Sequence, residues 1–341
     1  MVTGRCNLSC PHCSVLSHGE LPGELDLAGW RSVFESLAEL RVLQVTVTGG
    51  EPLMREDFPE LWRMLSRMPF RLYLNTNATL LSERSAEALA ESLPRLDCVM
   101  TSLDGPDSST HDAIRGDGAF SKAMSGTGRL RDLGVPFGFY CTVVTLNRDR
   151  LEETVELARQ SGARWIRLNY FVEAGPGSES GLAIPLRERR EIGRQVLRLA
   201  RARPGFVTGT ALRMEEYALE VEAGGGRPRG LPCGAGLDRL VILPDGSVAP
   251  CDHIPHVILG HILRDSLEDI LSGIAAREFR AIVEARSAAR EGPCAECAWF
   301  DVCQPGCPVQ WFAAAPVCDQ VFGAPRLDCL KSYIEGGRQG E

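Results

Sequence analysis

The stretch Cys6-Asn7-Leu8-Ser9-Cys10-Pro11-His12-Cys13 places three cysteines close together near the start of the chain, in a C-x3-C-x2-C spacing. Three thiolates on one short loop can hold three irons of a [4Fe-4S] cluster, which leaves the fourth iron without a protein ligand. A structural zinc site is one alternative, but it needs a fourth Cys or His nearby, and His12 lies inside the triplet. A disulfide framework is the other. The spacing therefore favours a cluster with an open coordination position.

The composition is that of a globular protein with one large or two moderate domains. The chain has 341 residues, 44% hydrophobic and 24% charged. Its net charge is -8 without a long basic run, so we expect no nucleic-acid or membrane partner. It has neither a secretion leader nor an apolar stretch long enough to span a membrane. The 13 cysteines are mostly clustered as metal ligands are, which favours a reducing, cytoplasmic setting.

The first two hundred residues alternate between helical and strand-like patterns. Apolar residues recur at helical spacing in residues 25–40 and are followed by the β-branched stretch 42–47. Such alternation indicates an α/β fold with a parallel sheet and helices outside it. The pattern further predicts a very short strand before Cys6, helices at 58–68, 82–92, 120–133, 150–161 and 185–201, and strands at 70–75, 98–102, 137–144 and 165–169.

Small and polar residues follow several of these strands. Sites of parallel barrels lie at the carboxyl ends of the strands. Glycines allow close approach to the backbone there, and Glu51 offers a carboxylate. For Asn77 and Asp104, turn formation alone is the alternative. The residues at these strand ends are Gly49, Gly50, Glu51, Pro52, Asn77, Ser102 and Asp104.

The cysteine triplet and the Gly-Gly-Glu stretch together resemble the signatures of the radical S-adenosylmethionine (SAM) superfamily. The resemblance implies a partial (β/α)6 TIM-like barrel over residues 1–205, with a cluster on Cys6, Cys10 and Cys13 whose open iron chelates SAM. It also implies that residues 49–52 meet the SAM amino group, and that Ser102 and Asp104 lie by its ribose and carboxylate, with Asn77 at the same rim. Arg115, in the family-like stretch 111–116, is expected to pair with a carboxylate of SAM or substrate; a surface salt bridge is the alternative.

The last third of the chain resembles the SPASM domain, which holds two auxiliary [4Fe-4S] clusters. We expect this small cysteine-rich domain at residues 206–341, with helices and a β-hairpin across the Pro-Asp-Gly turn at 244–246. Residues 224–232 contain no cysteine, so the first auxiliary cluster keeps an open iron or borrows a ligand. The resemblance implies the ligands Cys233, Cys251 and Cys307 for the first cluster and Cys294, Cys297, Cys303 and Cys329 for the second, with Cys318 as an alternative to Cys329 or as the missing ligand.

The resemblance also implies a reaction. Reductive cleavage of SAM yields a 5′-deoxyadenosyl radical, for which an electron donor such as ferredoxin or flavodoxin is needed. In sulfatase-maturing relatives, an aspartate directly after the second cysteine of the SPASM domain serves as a base, and Asp252 occupies that position.

The expected substrate is a ribosomally made peptide or protein, modified by cross-linking, epimerisation or side-chain oxidation. A tetrapyrrole such as a haem d1 precursor is the alternative, and a non-catalytic iron-sulfur electron carrier is an alternative of another class. Only five residues precede Cys6, and no leader-peptide-binding domain precedes the barrel. Either the true start lies upstream or a separate leader-peptide-binding protein is a partner.

Overall fold

The computed structural model describes residues 1–13, 23–171, 177, 180–223 and 234–288. Six strands form one sheet in which every neighbouring pair is parallel and the spatial order follows the chain. The predicted α/β class with a parallel sheet is therefore confirmed. The strands are β1 (Gln44–Val47), β2 (Arg71–Thr76), β3 (Leu96–Ser102), β4 (Phe137–Val143), β5 (Ile166–Tyr170) and β6 (Val207–Thr208).

The predicted strand before Cys6 is wrong. Residues 1–5 instead run along the loop after β1, where Val2 N donates to Thr48 O (2.7 Å) and Glu51 N donates to Arg5 O (2.8 Å). The sixth strand is β6, which lies beside β5. Strand β6 was not predicted because two residues are too few to show an alternating pattern. The parallel sheet thus extends past residue 205, where we expected the barrel to end.

Helices cover one face of the sheet, and six of them match predicted helices. Two more were missed: α4 has only eight residues, and α8 follows the sixth strand that was not predicted. Asp107 caps α4 by accepting a hydrogen bond from Thr110 N (2.9 Å). The helices are α1 (Leu27–Glu39), α2 (Phe58–Ser66), α3 (Glu83–Glu91), α4 (Ser108–Arg115), α5 (Ala119–Asp132), α6 (Leu151–Gln160), α7 (Leu186–Ala202) and α8 (Thr210–Glu222).

The two faces of the sheet differ sharply in polarity. The face under the helices is a continuous apolar core that includes Leu74, Val99 and Phe139, all fully buried. The alternate residues of each strand lie on the other side, which we call the open face. It is largely polar, and most of its side chains are partly exposed. The open face includes Tyr73, Asn75, Met100, Ser102, Tyr140, Thr142, Arg167, Asn169 and Thr208.

The predicted hairpin is confirmed. Strands β7 (Val241–Ile242) and β8 (Ser247–Ala249) pair antiparallel, and β9 (Gly260–His261) adds a third strand. Helices α9 (Leu267–Ser272) and α10 (Ile274–Ala288) follow. No helix among the described residues is long and apolar enough to cross a bilayer. The predicted ligands Cys233, Cys294, Cys297, Cys303, Cys307, Cys318 and Cys329 lie outside the described residues.

Candidate functional site

The cysteine loop is held against the carboxyl end of β2. The Asn7 side chain donates to Thr79 Oγ1 (2.9 Å) and accepts from Asn77 Nδ2 (3.0 Å). Within the loop, Cys13 N donates to Cys10 O (3.0 Å). The predicted site residue Asn77 therefore positions the segment that carries Cys6, and Asn77 Oδ1 accepts a hydrogen bond from Thr79 N (2.9 Å).

The three cysteines of the loop fit a three-thiolate iron site. None of the three is in a disulfide, all are half-buried, and the charges of Cys6 and Cys13 act on the thiol of Cys10. Burial raises the pKa of Cys6, and it raises the pKa of Cys10 to about 11. Iron binds the thiolate, so loading of this loop must release protons.

Gly49 and Gly50 are required by the chain's own packing. A Cβ atom on Gly49 would lie 2.6 Å from Thr3 O, and one on Gly50 would lie 2.4 Å from Arg5 O. We expected these glycines to let a ligand approach the backbone. In the structure, the close neighbour is the segment that leads into the cysteine loop.

Glu51 joins the ends of β1 and β2. Its carboxylate is 1% exposed and accepts from Thr76 Oγ1 (2.7 Å), Asn77 N (2.7 Å) and Leu53 N (3.0 Å). Burial raises the pKa of Glu51, against the lowering effect of these hydrogen bonds. Pro52 is buried and begins a short 3-10 helix, Pro52–Met54. The Gly-Gly-Glu stretch therefore holds the cysteine loop and the strand ends in one rigid unit.

Asp104 and Arg115 form a buried ion pair beside the cysteine loop. Arg115 Nε donates to Asp104 Oδ2 (2.6 Å), Thr142 N donates to Oδ1 (2.8 Å), and the Asp104 side chain is fully buried. Burial raises the pKa of Asp104, but the charge of Arg115 and the hydrogen bond from Thr142 N help to outweigh it and leave this pKa below its ordinary value. Arg115 also acts electrostatically on Cys10. The surface salt bridge weighed for Arg115 is thus replaced by a buried one.

Two buried histidines flank this pair, and the sequence analysis assigned neither to the site. His12 Nε2 lies 3.5 Å from Asp104 Oδ2, and His111 Nδ1 accepts from Asp104 N (3.1 Å). Burial lowers the pKa of each histidine to about 4, so both are neutral at pH 7. His12 Nδ1 and His111 Nε2 are buried without a hydrogen-bond partner in the described part of the chain. These nitrogens fit a bound group next to the cysteine loop.

Ser102 ends β3 on the open face, half-buried and directly opposite Tyr140 of β4. Asp252 lies in the segment that follows β8. Its Oδ1 is 3.3 Å from Cys251 Sγ and 2.9 Å from His253 Nδ1. Burial raises the pKa of Asp252, yet hydrogen bonds from His253 and Cys251 lower it to about 2. The predicted base is therefore an ionised carboxylate in contact with a predicted cluster ligand.

Two family models match the chain. Residues 1–158 match the radical SAM superfamily, and residues 233–298 match the SPASM iron-sulfur cluster-binding domain. Cys251 lies within the second match.

Curated relatives match over nearly the whole chain. The mycofactocin maturase MftC of Mycolicibacterium smegmatis is 31% identical in an alignment that covers 96% of this chain and 83% of the relative. The PqqA peptide cyclase of Ruegeria pomeroyi is 29% identical in an alignment that covers 99% of this chain and 91% of the relative. The AdoMet-dependent heme synthase of Methanosarcina barkeri is 29% identical in an alignment that covers 92% of this chain and 91% of the relative.

Solved structures share the fold. SuiB of Streptococcus suis bound to its precursor peptide SuiA aligns with a TM-score of 0.76 at 17% identity, covering 96% of this chain and 74% of SuiB. Native anSMEcpe with bound AdoMet aligns with a TM-score of 0.75 at 18% identity, covering 99% and 94%. At these identities the likeness concerns the fold alone, and it agrees with the predicted barrel.

Proposed function

Because the chain belongs to the radical SAM superfamily and carries a SPASM domain, we propose that it cleaves SAM reductively and modifies a ribosomally made peptide or protein. Family membership confirms the predicted enzyme class and the predicted cofactors, [4Fe-4S] clusters and SAM. The non-catalytic electron carrier weighed from the sequence is therefore wrong. The substrate and the residues that hold each cofactor are proposals.

One observation carries the proposal: the loop of Cys6, Cys10 and Cys13 lies beside the buried Asp104–Arg115 pair. When bound there, the cluster supplies the electron that cleaves SAM. The chain's own residues hold the loop through Asn7 and Asn77 and place the Arg115 cation near Cys10. We assign SAM contacts to Ser102, to the unpartnered nitrogens of His12 and His111, and to the backbone of residues 49–51.

We place the remaining predicted ligands in the SPASM domain, with Cys251 on the first auxiliary cluster. Asp252 is ionised and touches Cys251, so it can accept a proton from a substrate that is oxidised there. Asp252→Asn removes this acceptor and keeps the size of the side chain. We expect about a hundredfold or greater loss of product, while SAM cleavage continues. Product formation equal to that of the wild type would remove Asp252 from the mechanism.

A peptide substrate is supported by relatives named as a peptide cyclase and a maturase. A tetrapyrrole is the second candidate, supported by the heme synthase that matches over 92% of the chain. The deciding experiment measures 5′-deoxyadenosine release by the anaerobically reconstituted chain, with and without a short peptide encoded beside its gene. Stimulated release with a change in peptide mass, or with solvent deuterium incorporated, supports peptide modification. Slow release with an unaltered peptide favours the tetrapyrrole.

We further propose an acidic electron donor, such as ferredoxin or flavodoxin, and a cytoplasmic setting, since none of the described cysteines is in a disulfide. A surface cavity of about 440 Å³ supports the donor, because Lys122 and Arg129 line it and no acid does. Thr79, also in its lining, accepts the hydrogen bond from Asn7 of the cysteine loop. The acidic surface of a donor docked over this cavity would therefore contact Thr79, next to the cysteine loop.

The test of this cavity compares two reductants. Lys122→Glu combined with Arg129→Glu should slow SAM cleavage driven by flavodoxin at low salt and leave cleavage driven by dithionite unchanged. Arg31→Glu, an exposed charge reversal on α1, is the control and should slow neither. Equal slowing with both reductants would count against donor docking at this cavity.

A further inference from the structure

The open face carries one charged side chain, Arg167, that no carboxylate of the described residues neutralises. Its described strands present three charged residues, and two of them, Arg71 and Asp97, pair with each other at 3.5 Å near the amino ends of the strands. Arg167 is the third. It is exposed, and within the described residues no carboxylate lies within 4 Å of its guanidinium. In a chain with 45 acidic residues and a net charge of -8, such an isolated cation is conspicuous.

Two aromatic rings hold Arg167 in place. Its guanidinium carbon lies 4.9 Å from the ring centre of Trp165 and 5.6 Å from that of Tyr140, and Nη1 donates to the Tyr140 hydroxyl (3.2 Å). The rings themselves meet edge to face at 5.6 Å. Gly138 makes room for this arrangement, since a Cβ there would lie 2.5 Å from Trp165 Cδ2. The guanidinium is therefore pre-organised, with N–H donors left over.

A second guanidinium charge, from the SPASM part of the chain, also acts on this tyrosine. Arg239, just before β7, is exposed and also lacks an acidic partner among the described residues. Burial raises the pKa of the Tyr140 hydroxyl, and the charges of Arg167 and Arg239 act against this rise. Two cations from the two parts of the chain thus act on one point of the open face. Sites between domains are common places for substrates.

The strand register places Arg167 relative to Ser102. Ser102 lies opposite Tyr140, and Tyr140 lies opposite Arg167. Strands in a sheet are about 4.8 Å apart, so Arg167 is two strand spacings, roughly 10 Å, from Ser102. A substrate bound at Arg167 therefore has to extend only about 10 Å to present a carbon atom near Ser102.

We propose that Arg167 binds a carboxylate of the substrate peptide, either an acidic side chain or the C-terminal carboxylate. A planar guanidinium with free N–H groups matches a carboxylate through two parallel hydrogen bonds. The inference rests on the proposed function, since it takes the substrate to be a peptide. It adds that this peptide carries a negative charge close to the modified residue.

The test is a binding titration with the full chain, reconstituted anaerobically. The probe is an unlabelled synthetic peptide with the sequence encoded beside the gene, used as the acid and as a form whose carboxylates are all amides, and its binding is followed by calorimetry. Arg167→Gln should weaken binding of the acid on the order of ten- to a hundredfold and leave binding of the amide form unchanged. Arg167→Lys keeps the charge and should lose less. Arg71→Gln, on the same face but paired with Asp97, is the matched control and should change neither.

The outcomes separate this inference from the proposed function. If Arg167→Gln weakens both peptide forms alike, or neither, Arg167 only stacks on its aromatic neighbours and the inference is wrong. If the peptide is neither bound nor modified, a porphyrin tetracarboxylic acid and its tetramethyl ester replace it as probes. Preference for the acid that Arg167→Gln removes and Arg71→Gln keeps would retain the carboxylate site and overturn the peptide assignment. No preference for either acid over its neutral counterpart would overturn the carboxylate site itself.

Discussion

Arg115 Nε and Asp104 Oδ2 lie 2.6 Å apart, with the carboxylate fully buried and the guanidinium 12% exposed. The Asp104 carboxylate also accepts a hydrogen bond from Thr142 N, and the Asp104 backbone N–H donates to His111 Nδ1. The pair therefore links the segment after β3 to α4 and β4. It lies at the carboxyl ends of the strands, beside the cysteine loop. Its first function is to keep an arginine charge in a fixed place next to Cys10.

Asp104→Asn should destabilise the fold strongly. The substitution leaves a buried guanidinium without its counter-charge, and breaking a buried pair in this way costs about 3–5 kcal/mol. Urea unfolding of the iron-free protein measures the loss. The double variant Asp104→Asn with Arg115→Met removes the stranded charge and should recover part of the stability. A double variant no more stable than the single one would contradict the charge argument.

Gly50→Ala and Gly128→Ala should have opposite effects. The new methyl group at position 50 meets the backbone oxygen of Arg5, which can move only with the whole segment, so we expect a loss of about 1–3 kcal/mol. Gly128 lies in α5, where a new methyl group would meet no atom within 4 Å beyond its own helix backbone, and alanine there should stabilise by about 0.5–1 kcal/mol. Thermal unfolding distinguishes the two. Equal effects would show that segment 3–5 yields freely.

Cys6→Ala, Cys10→Ala and Cys13→Ala should each abolish SAM cleavage and lower the iron content, while iron bound to the SPASM domain remains. The reason is that three thiolates are needed to leave one iron open for SAM. Cys98→Ala is the control, because Cys98 is a buried thiol within β3. Release of 5′-deoxyadenosine and the iron content are the measurements. Cleavage that survives loss of any triplet cysteine would overturn the cluster assignment.

The stability of the iron-free protein should fall as the pH rises from about 9 to 11, partly through Cys10. Burial raises the pKa of this thiol from its ordinary 9.0 to about 11, so the unfolded chain loses the proton at a lower pH than the folded one. The stability that depends on the neutral thiol is complete below pH 9 and declines above it. Urea unfolding of the wild type and of Cys10→Ala at pH 7.5 and 10.5 isolates this contribution. A parallel decline in both would contradict it.

Long periodic segments were predictable because the spacing of apolar residues within each segment shows which side chains are buried. The apolar stripe of α1 and the alternation of β4 carry enough residues to show a period, and both lie where they were expected. Short elements such as β6 and α4, with two and eight residues, are too short to show a period. They are stabilised by neighbours that are distant in sequence. His12 and His111 were not assigned to the site because their contacts with Asp104 are formed by tertiary structure and are not visible in the local sequence.

Sequence was sufficient for the chemistry of the cysteine triplet, because ligand type and spacing on one loop are local properties. It was also sufficient for the parallel α/β class, because the order of helices and strands constrains the connections. Tertiary structure decided that Asp104 pairs with Arg115 and that Arg167 has no carboxylate partner within the described part of the chain. Whether a charge finds a partner depends on strand register and burial, which residues far apart in the chain set together.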